Sequence, residues 1–572
     1  MIKTFNVKLV VFYISLILLT PAISLADAFQ VLSNQIMEEL QSFYPVRSTE
    51  MGIHSYDHRF TDYSSSSVKK MIDKLNRFEK KLYKYRGAKL SAHNKINYKL
   101  LKSNVDIALQ DLKKIRWHKK SPQLYVDEAV NGLYFLVLSP HAPMSEKIAT
   151  ILVRMRAVPK LFATARKNLK KPPQIYIDAA IKSLEDGISF YKDVAGDISK
   201  QHPERADQLM KYSTRAREAM NDFMNFLSTM TAGSDKSFAI GKNNFDYKLK
   251  NEYFLNYDSD SLLKIGQTLL KQAQDNYRQY AGYVESNHQS GNHSVFVPAT
   301  FASSDILDYY NWETNQVRLF CEENRIVSVP EDIGQVTVLE TPAFLRSMHA
   351  GISYQPAGPF DTAQHGYFYV RPIPNIDDPG FLSGRYQYVH RRGFKGSVVH
   401  EAFPGHHLQL QLARMNDDPL RKTQFNIMMI EGWALYCEQM MYEEGLFGQE
   451  NAAQWLAVLG GIRFRAARII ADISLHTGRM SYNECVDWMI EVLELETESE
   501  KKYIQTEVRR YTVSPTYQMS YLMGKREILK LRLAMMKKEG DNFSLRKFHD
   551  ALLAEGSIAP ALMWQVLDLK KN

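Results

Sequence analysis

Apolar residues recur at steps of three and four positions through the first half of the chain, and this spacing restricts the fold more than any other feature. Over residues 27–285 it forms repeated stripes, among them those that begin at Val68, Ile148 and Leu262. A stripe with this period covers one face of an α-helix, whereas a half-buried strand alternates at every second residue. The spacing therefore predicts a helical N-terminal lobe over residues 27–285.

The pattern changes in residues 286–572. Three short segments rich in β-branched, small or aromatic residues are typical of strands, namely Val336–Leu339, Ala350–Tyr354 and Tyr367–Val370. No helix-length segments separate them as a doubly wound sheet requires, and helical spacing resumes after Gly393. We predict a mainly α fold, a large two-lobed helical body around a substrate cleft, with a small β-sheet beside the helix that carries the histidines described below.

The composition excludes several classes of protein. With 45% hydrophobic and 24% charged residues, the chain is not of the disordered type. Three cysteines in 572 residues cannot cross-link the fold. The net charge of +9 comes from 72 basic and 63 acidic residues, and no recognition motif accompanies it. We therefore expect no nucleic-acid partner.

The first 26 residues have the pattern of a secretory signal peptide. Lys3 and Lys8 precede the mostly apolar run Leu9–Leu19, and Ser24–Ala26 forms a small-x-small cleavage site. The apolar run is short for a membrane span of about 20 residues, and no cysteine near the cut supports a lipid anchor. We expect a periplasmic or secreted protein without stable membrane insertion after cleavage of the signal.

Residues 398–409 (VVHEAFPGHHLQ) concentrate three histidines and one glutamate, which packing alone does not explain. Zinc peptidases use His-Glu-x-x-His because positions i and i+4 share one helix face and the glutamate reaches the attacking water. Here the spacing is longer. On a straight helix His406 would lie about 120° from the face of His400, and His407 would lie roughly 10 Å along the axis.

Pro404 and Gly405 remove the need for a straight helix, since proline interrupts the hydrogen-bond ladder and glycine tolerates unusual backbone angles. Two residues bulged out at Phe403 and Pro404 would bring His406 to the position of the usual second histidine. We therefore favour His406 as the metal ligand, with His407 as the alternative ligand or a substrate contact.

The segment from Ile430 to Glu438 offers a third ligand. Glu431 and Glu438 are spaced i and i+7 on one face of an otherwise apolar helix, and carboxylates are seldom buried without a partner. Glu431 is the best candidate for the third ligand, and Glu438 fits best as a residue that orients a histidine ligand.

Residues 509–524 are rich in tyrosine and arginine. Peptide hydrolysis builds negative charge on the carbonyl oxygen, and a phenol or guanidinium directed at that oxygen lowers the barrier. Tyr521 and Tyr511 are candidates for this role, and Arg510 is a candidate partner for a substrate carboxylate or the oxyanion.

At these residues the chain resembles the gluzincin zinc metallopeptidases of the thimet oligopeptidase and carboxypeptidase Taq type. More closely, it resembles the bacterial domain-of-unknown-function 885 family, whose members carry His-Glu-x-x-Pro-Gly-His-His-x-Gln and then Glu-Gly-Trp-Ala. The match is strong at residues 398–409 and 430–438, and moderate at 511–524.

The resemblance implies that residues 286–572 form a zincin-like catalytic region holding one zinc ion. It implies His400, His406 and Glu431 as zinc ligands, with Glu401 as general base and Tyr521 on the oxyanion. It also places an edge strand at Met348–Tyr354, where Ala350, Gly351 and Ser353 would pair with the substrate backbone.

These observations together predict a periplasmic or secreted zinc metallopeptidase that hydrolyses short peptides, with Glu401 as the base for the attacking water. Two alternatives stay open. One is a zinc amidohydrolase acting on non-peptide or cell-wall amides, which would use the same metal residues. The other is a non-catalytic metal- or peptide-binding protein, which would not need a carboxylate beside its first ligand.

Overall fold

Helices account for most of the residues in the computed structural model, which describes residues 24–286, 306–342, 352–370, 394–448 and 452–570. The expected mainly α fold with a small sheet is confirmed. The arrangement as two lobes around a substrate cleft, with a zincin-like catalytic region, stays a prediction.

The first part of the chain consists of helices joined by short connections, and a π-helical turn at Gln110–Ile115 follows the fourth of them. Their bounds are Leu25–Phe43 (α1), Pro45–Glu50 (α2), Ser65–Tyr83 (α3), Ala92–Leu109 (α4), Trp117–Lys120 (α5), Gln123–Leu138 (α6), Met144–Asn168 (α7), Gln174–Gln201 (α8), Ala206–Ser228 (α9), Lys242–Asn251 (α10) and Ser259–Ser286 (α11).

Helix α3 shows how the sequence spacing becomes structure. Val68, Met71, Leu75 and Leu82 are buried along one face, while lysines between them are exposed. The side chain of Ser64 accepts a hydrogen bond from the backbone of the first turn, which caps the helix start. Local capping and the apolar stripe therefore agree on where this helix begins and which face it buries.

Three strands form the sheet, Val336–Glu340 (β1), Ser353–Gln355 (β2) and Gly366–Val370 (β3). β3 is central, pairing in parallel with β1 and antiparallel with β2. The predicted strands Val336–Leu339 and Tyr367–Val370 are confirmed to within one residue at each end. The predicted strand between them, Ala350–Tyr354, overlaps β2 only at its last two residues. Ala350 and Gly351 lie outside the described residues.

Helices resume on both sides of the sheet sequence and continue through the described C-terminal part. Their bounds are Ile306–Glu323 (α12), Phe394–Glu401 (α13), His406–Arg414 (α14), Pro419–Lys422 (α15), Ile427–Glu443 (α16), Ala452–His476 (α17), Tyr482–Val492 (α18), Glu498–Val513 (α19), Ser520–Glu539 (α20), Leu545–Leu553 (α21) and Pro560–Val566 (α22).

Buried apolar residues form two clusters, and each draws on both sides of residue 285. The larger cluster runs from Phe29 in α1 to Trp433 in α16 and beyond. The smaller one joins Tyr176 in α8 and Leu262 in α11 to Ile469 in α17. The two halves of the chain therefore share their cores, and the division at 285 stays a prediction.

The three cysteines, Cys321, Cys437 and Cys485, are buried and unpaired, in line with their wide spacing. Burial raises the pKa of each thiol, so none is activated as a nucleophile. Among the described helices, none combines the length and the apolar character needed to cross a bilayer.

Candidate metal centre and its cavity

The histidine segment forms two helices with a complete break between them, which differs from the expected local bulge. α13 ends at Glu401 and α14 begins at His406. A side chain at Gly405 would collide with the carbonyl oxygen of His400, so the chain can fold back over the end of α13 only with glycine here. The break releases His406 from the helical spacing that separated it from His400.

His400, His406 and Glu431 meet at one point. Oε2 of Glu431, in the first turns of α16, lies 3.6 Å from Nε2 of His400 and 3.4 Å from Nε2 of His406. The two imidazole rings stand nearly perpendicular, with an interplanar angle of 82° and centroids 4.8 Å apart. The three side chains are almost fully shielded from solvent and converge from three different helix ends.

His407 points elsewhere, although it is adjacent to His406. It is fully buried, and each ring nitrogen contacts a protein group. Its Nε2 lies 2.7 Å from the carbonyl oxygen of Gly334 and its Nδ1 lies 2.8 Å from the hydroxyl of Tyr354. The only tautomer that serves both donates from Nε2 and accepts at Nδ1. The structure therefore brings His406, and not His407, to Glu431.

Glu438 holds His400 from the opposite side. Its Oε1 lies 2.8 Å from Nδ1 of His400, which leaves Nε2 of that ring facing Glu431. Arg465 donates a hydrogen bond to the same carboxylate oxygen over 3.3 Å. Burial alone would raise the pKa of Glu438, but Arg465 and His400 outweigh it and lower the pKa to about 2. Glu438 is thus a permanent anion that orients the ring.

The charges of this cluster favour a cation at its centre. Burial lowers the pKa of His400, but the neighbouring carboxylates of Glu431 and Glu438 outweigh this and raise it to about 10. Burial would raise the pKa of Glu431, and the two histidines reverse the sign and hold it well below the usual range. Two carboxylates that stabilise an imidazolium would also stabilise a metal cation between the same atoms.

A cavity of about 430 Å³ lies directly over these residues. Glu401 lines it and is buried, and burial raises the pKa of its carboxyl group. Ile352 and Ser353, from the edge strand β2 and the residue before it, line the same cavity. The predicted base and the described part of the predicted substrate strand therefore share one cavity with the histidines.

In the Glu-Gly-Trp segment of α16, the glycine and the tryptophan each make a contact that positions Glu431. Gly432 packs against Gly524 of α20, where a side chain on either residue would collide with the backbone of the other helix. Trp433 donates from its indole nitrogen to the carbonyl oxygen of Pro404 over 2.7 Å, which fixes the break between α13 and α14. These contacts hold Glu431 against both the histidine segment and α20.

Two tyrosines, Tyr517 in the turn before α20 and Tyr521 in its first turn, complete the cavity wall. The hydroxyl of Tyr517 donates to Oε1 of Glu431. Tyr521 stacks near His400, with centroids 6.5 Å apart, and the guanidinium of Arg468 lies 4.1 Å from the centre of its ring. Burial raises the pKa of Tyr521 to about 12, so its hydroxyl stays protonated and able to donate.

A buried carboxylate fixes the turn that carries these tyrosines. Asp472 of α17 accepts hydrogen bonds from the backbone N–H of Thr516 at 2.9 Å and of Met519 at 3.0 Å. Tyr253 donates to the carbonyl oxygen of Thr516 over 3.2 Å. Since Tyr517 lies between the two residues bound by Asp472, its direction depends on this carboxylate.

Two other predicted residues have their own partners. Arg510 lines the cavity but donates to Glu507 over 2.8 Å. Tyr511 is fully buried, and its hydroxyl donates to the same carboxylate over 3.1 Å. The structure thus brings Arg510 to the cavity wall and places Tyr511 behind Glu507.

Comparison with known proteins identifies the family. The family described as "Bacterial protein of unknown function (DUF885)" matches residues 45–567. The chain belongs to the DUF885 family. No curated protein matches the sequence significantly.

Two solved structures share the fold of this DUF885 protein. One, from Shewanella oneidensis, is described as "a putative lipoprotein of unknown function"; it is 21% identical, covers 94% of this chain and 99% of its own, and has a TM-score of 0.74. The other, "the putative lipoprotein from Colwellia psychrerythraea", is 18% identical, with coverages of 96% and 99% and a TM-score of 0.75. The comparisons give no support to a relationship with gluzincin peptidases, which stays a prediction.

Several residues of the DUF885 site escaped the sequence reasoning. Arg465, Arg468 and Asp472 all lie on α17, a largely apolar helix, and two of them are almost fully buried. Like Glu431 and Glu438, these three are charged residues within an apolar helix, and that pattern marks them in the sequence as well. Tyr517 carried no comparable signal, because tyrosine is abundant, with 32 copies in the chain.

The residues of the DUF885 protein fit a zinc ion. Two ligand atoms on a tetrahedral zinc lie about 3.3 Å apart, since zinc–nitrogen and zinc–oxygen bonds are about 2.0–2.2 Å. The distances of 3.4 and 3.6 Å from Oε2 of Glu431 to the histidines are close to this value. That oxygen is buried and makes no hydrogen bond with the described residues, which is unusual for a buried carboxylate. Two imidazoles and one carboxylate are a zinc donor set with a position left open.

Proposed function

We propose that this DUF885 protein is a periplasmic or secreted zinc-dependent metallopeptidase that hydrolyses peptide bonds, most readily those of short peptides. One observation carries the proposal. His400, His406 and Glu431 converge beside the carboxylate of Glu401 in a cavity of about 430 Å³. A site that only bound metal would not need that extra carboxylate.

His400, His406 and Glu431 would hold the ion through two imidazole nitrogens and one carboxylate oxygen. Zinc would supply Lewis acidity, polarising the substrate carbonyl and making water more acidic near neutral pH. Glu438 keeps His400 in the tautomer that presents Nε2, and Tyr517 holds one oxygen of Glu431 so that the other faces the histidines.

Glu401 is the proposed proton carrier. It would accept a proton from the attacking water and deliver it to the amine that leaves when the peptide bond breaks. Tyr521 would donate a hydrogen bond to the substrate carbonyl oxygen as negative charge develops there. Arg468, against the face of that ring, holds Tyr521 in place.

The sheet supplies a docking edge for substrate. Among the described strands, β2 pairs only with β3, and Ser353 of β2 lines the metal cavity. A peptide added as a further strand would gain main-chain hydrogen bonds largely independent of its side chains. Ala350 and Gly351 are proposed to extend this edge.

The proposal includes a location outside the cytoplasm. The first 26 residues have the features of a signal peptide, and both similar structures are described as lipoproteins. The proposal is that the chain acts in the periplasm or outside the cell.

The test combines metal content with one conservative substitution. The purified protein should contain one equivalent of zinc and should cleave a digested peptide mixture, as followed by mass spectrometry. Glu401→Gln should keep the zinc and lower kcat by about 10²–10⁴-fold, since it removes the base but no ligand.

The matched control is Glu218→Gln, an exposed glutamate on α9 far along the chain from the site, which should change neither quantity. Full turnover by Glu401→Gln would overturn the mechanism. Cleavage of cell-wall fragments but not of peptides would favour the amidohydrolase alternative, and a zinc-free, inactive protein would remove the enzyme proposal altogether.

A further inference from the structure

A second cavity, of about 360 Å³, lies where the two halves of the chain meet. One side is formed by α1, α2, α4 and the turns that follow, and the other by residues 423–426 and 558–559. Ligand sites are concave and mostly apolar, and the volume of this cavity lies within the range of small-ligand pockets.

The wall of this second cavity is mainly apolar and aromatic. Tyr44, Tyr63, Trp117, Phe254 and Leu100 line it together with Phe425. Phe425 is 50% exposed, which is unusual for a side chain of this size beside so much apolar surface. An apolar group entering the cavity would gain free energy by leaving water.

The charges at the wall do not select an ion of one sign. Arg47 is exposed, and its guanidinium makes no hydrogen bond or ion pair with the described residues. Asp111 and Glu252 also line the cavity, and Asp111 accepts a hydrogen bond from the indole of Trp117 over 3.1 Å. Opposite charges near one another suit the dipolar backbone of a peptide, while the apolar wall suits its side chain.

Phe425 connects this cavity to the metal centre, because it lines both. Glu431 follows it by six residues in the chain, within the first turns of α16. A peptide held at the metal centre would therefore enter the second cavity where it passes Phe425.

We propose that the second cavity is a distal substrate subsite, on the far side of Phe425 from the metal centre, that receives a large apolar or aromatic side chain of the peptide. The inference rests on the proposed peptidase function and names its substrate class. The preferred substrates are peptides long enough to pass Phe425 with an apolar residue beyond it, and dipeptides reach only the metal cavity.

A series of peptides of constant length tests the subsite directly. Each peptide carries a single Phe in an otherwise small and polar sequence, at one to five residues from the bond that is cleaved, on either side of it. The value of kcat/KM should peak at one distance on one side of that bond, by about 10–100-fold over Gly at the same position. A flat profile would overturn the inference.

A cavity-filling variant provides the second arm. Ser103 lies half-buried on α4 and lines the second cavity, so Ser103→Trp should fill it. The variant should raise KM for the preferred long peptide by about tenfold and leave dipeptide hydrolysis unchanged. Ser189→Trp, at an exposed serine on α8, adds the same side chain elsewhere and should change neither.

Binding to the zinc-loaded Glu401→Gln protein separates recognition from chemistry. By titration calorimetry, the peptide with Phe at the favoured distance should bind about tenfold more tightly than its Gly counterpart, and Ser103→Trp should abolish this difference. If peptides are cleaved with no dependence on the distal residue, only the subsite is refuted. If no peptide is cleaved or bound, the peptidase proposal and the subsite fail together.

Discussion

Among the described residues, two clusters contain two histidines and one carboxylate with ligand atoms within 4.8 Å of one another, and they differ in the orientation of the histidine rings. In the first, His400 and His406 stand nearly perpendicular and face an oxygen of Glu431. In the second, His54 and His141 stack with an interplanar angle of 16° and centroids 3.6 Å apart, next to Asp57. Composition and distance alone would rank them as equals.

The orientation of the lone pairs separates the two clusters. The in-plane lone pairs of two parallel rings lie in separate planes and cannot both point at one ion. The nitrogens of His54 also have partners already, Asp57 at 2.8 Å and Asp361 at 3.4 Å. The second cluster therefore stabilises a proton and fastens the loop at Asp361 to the N-terminal helices. The first cluster keeps a buried carboxylate oxygen without a hydrogen bond.

The largest effect expected from this difference is on metal content. His406→Ala should remove most of the bound zinc, with affinity falling by more than about 10²-fold, because it would delete one of the three proposed ligands. His54→Ala should leave one equivalent of zinc in place. Elemental analysis after dialysis measures both, and loss of zinc from the His54 variant would mean that the second cluster also holds metal.

A smaller loss of zinc affinity is expected from Glu438, which contacts the proposed ligand His400. Glu438→Gln leaves the three proposed ligands in place. It should still weaken zinc binding by about 10–100-fold, because a neutral glutamine holds the ring of His400 less firmly than the carboxylate does. Competition with a chelator gives the affinity. Glu444→Gln, at the exposed end of the same helix, is the control, and equal affinities for the two variants would contradict the orienting role.

The turn that carries Tyr517 offers a test at constant metal content. Asp472→Asn replaces one of two acceptor oxygens by a donor that faces a backbone N–H, so the turn should shift. We expect kcat to fall by about tenfold or more with zinc retained, because small misplacements at a catalytic wall are costly. Tyr253→Phe removes one neutral hydroxyl, which makes two hydrogen bonds with Thr516 of the same turn, and should cost less because both acceptor oxygens of Asp472 stay in place. The reverse order would show that Asp472 does not position the tyrosines.

The smallest effect expected is on stability and belongs to the second cluster. Burial lowers the pKa of His54, but Asp361 and Asp57 outweigh it and raise the pKa to about 9. Because the folded state holds this proton more tightly than the unfolded state, the stabilisation is complete below about pH 6.5 and is lost as the pH rises through 9. We expect about 1–2 kcal/mol after allowance for partial exposure.

Chemical denaturation of the wild type and of His54→Gln across this pH range measures the contribution as a difference. The gap between the two proteins should be widest near pH 6 and should close above pH 9. A gap that is independent of pH would mean that the proton on His54 is not stabilised by the cluster.

Much of the helical architecture could be predicted from the sequence, because the signals that define a helix act between residues close together in the chain. The stripe beginning at Val68 predicts the buried face of α3, and Ser64 marks its start, because both signals act within a few residues. The strands at 336 and 367 were equally visible from their residue types. The break at residues 402–405 was only half visible, since proline and glycine announce a disruption but not its extent.

The sequence by itself determined the chemistry available to this protein: a mainly helical chain of the DUF885 family, with histidines and glutamates concentrated at 400–407 and 431–438. Only the tertiary structure decided which of His406 and His407 faces Glu431. The choice depends on Gly334 and Tyr354, which are distant in sequence yet occupy both nitrogens of His407. In the same way, the contact of Gly432 with Gly524 brings α20 and its tyrosines to Glu431. The direction of these side chains is set by packing against residues that are distant in sequence, and the spacing of residues along the chain does not predict it.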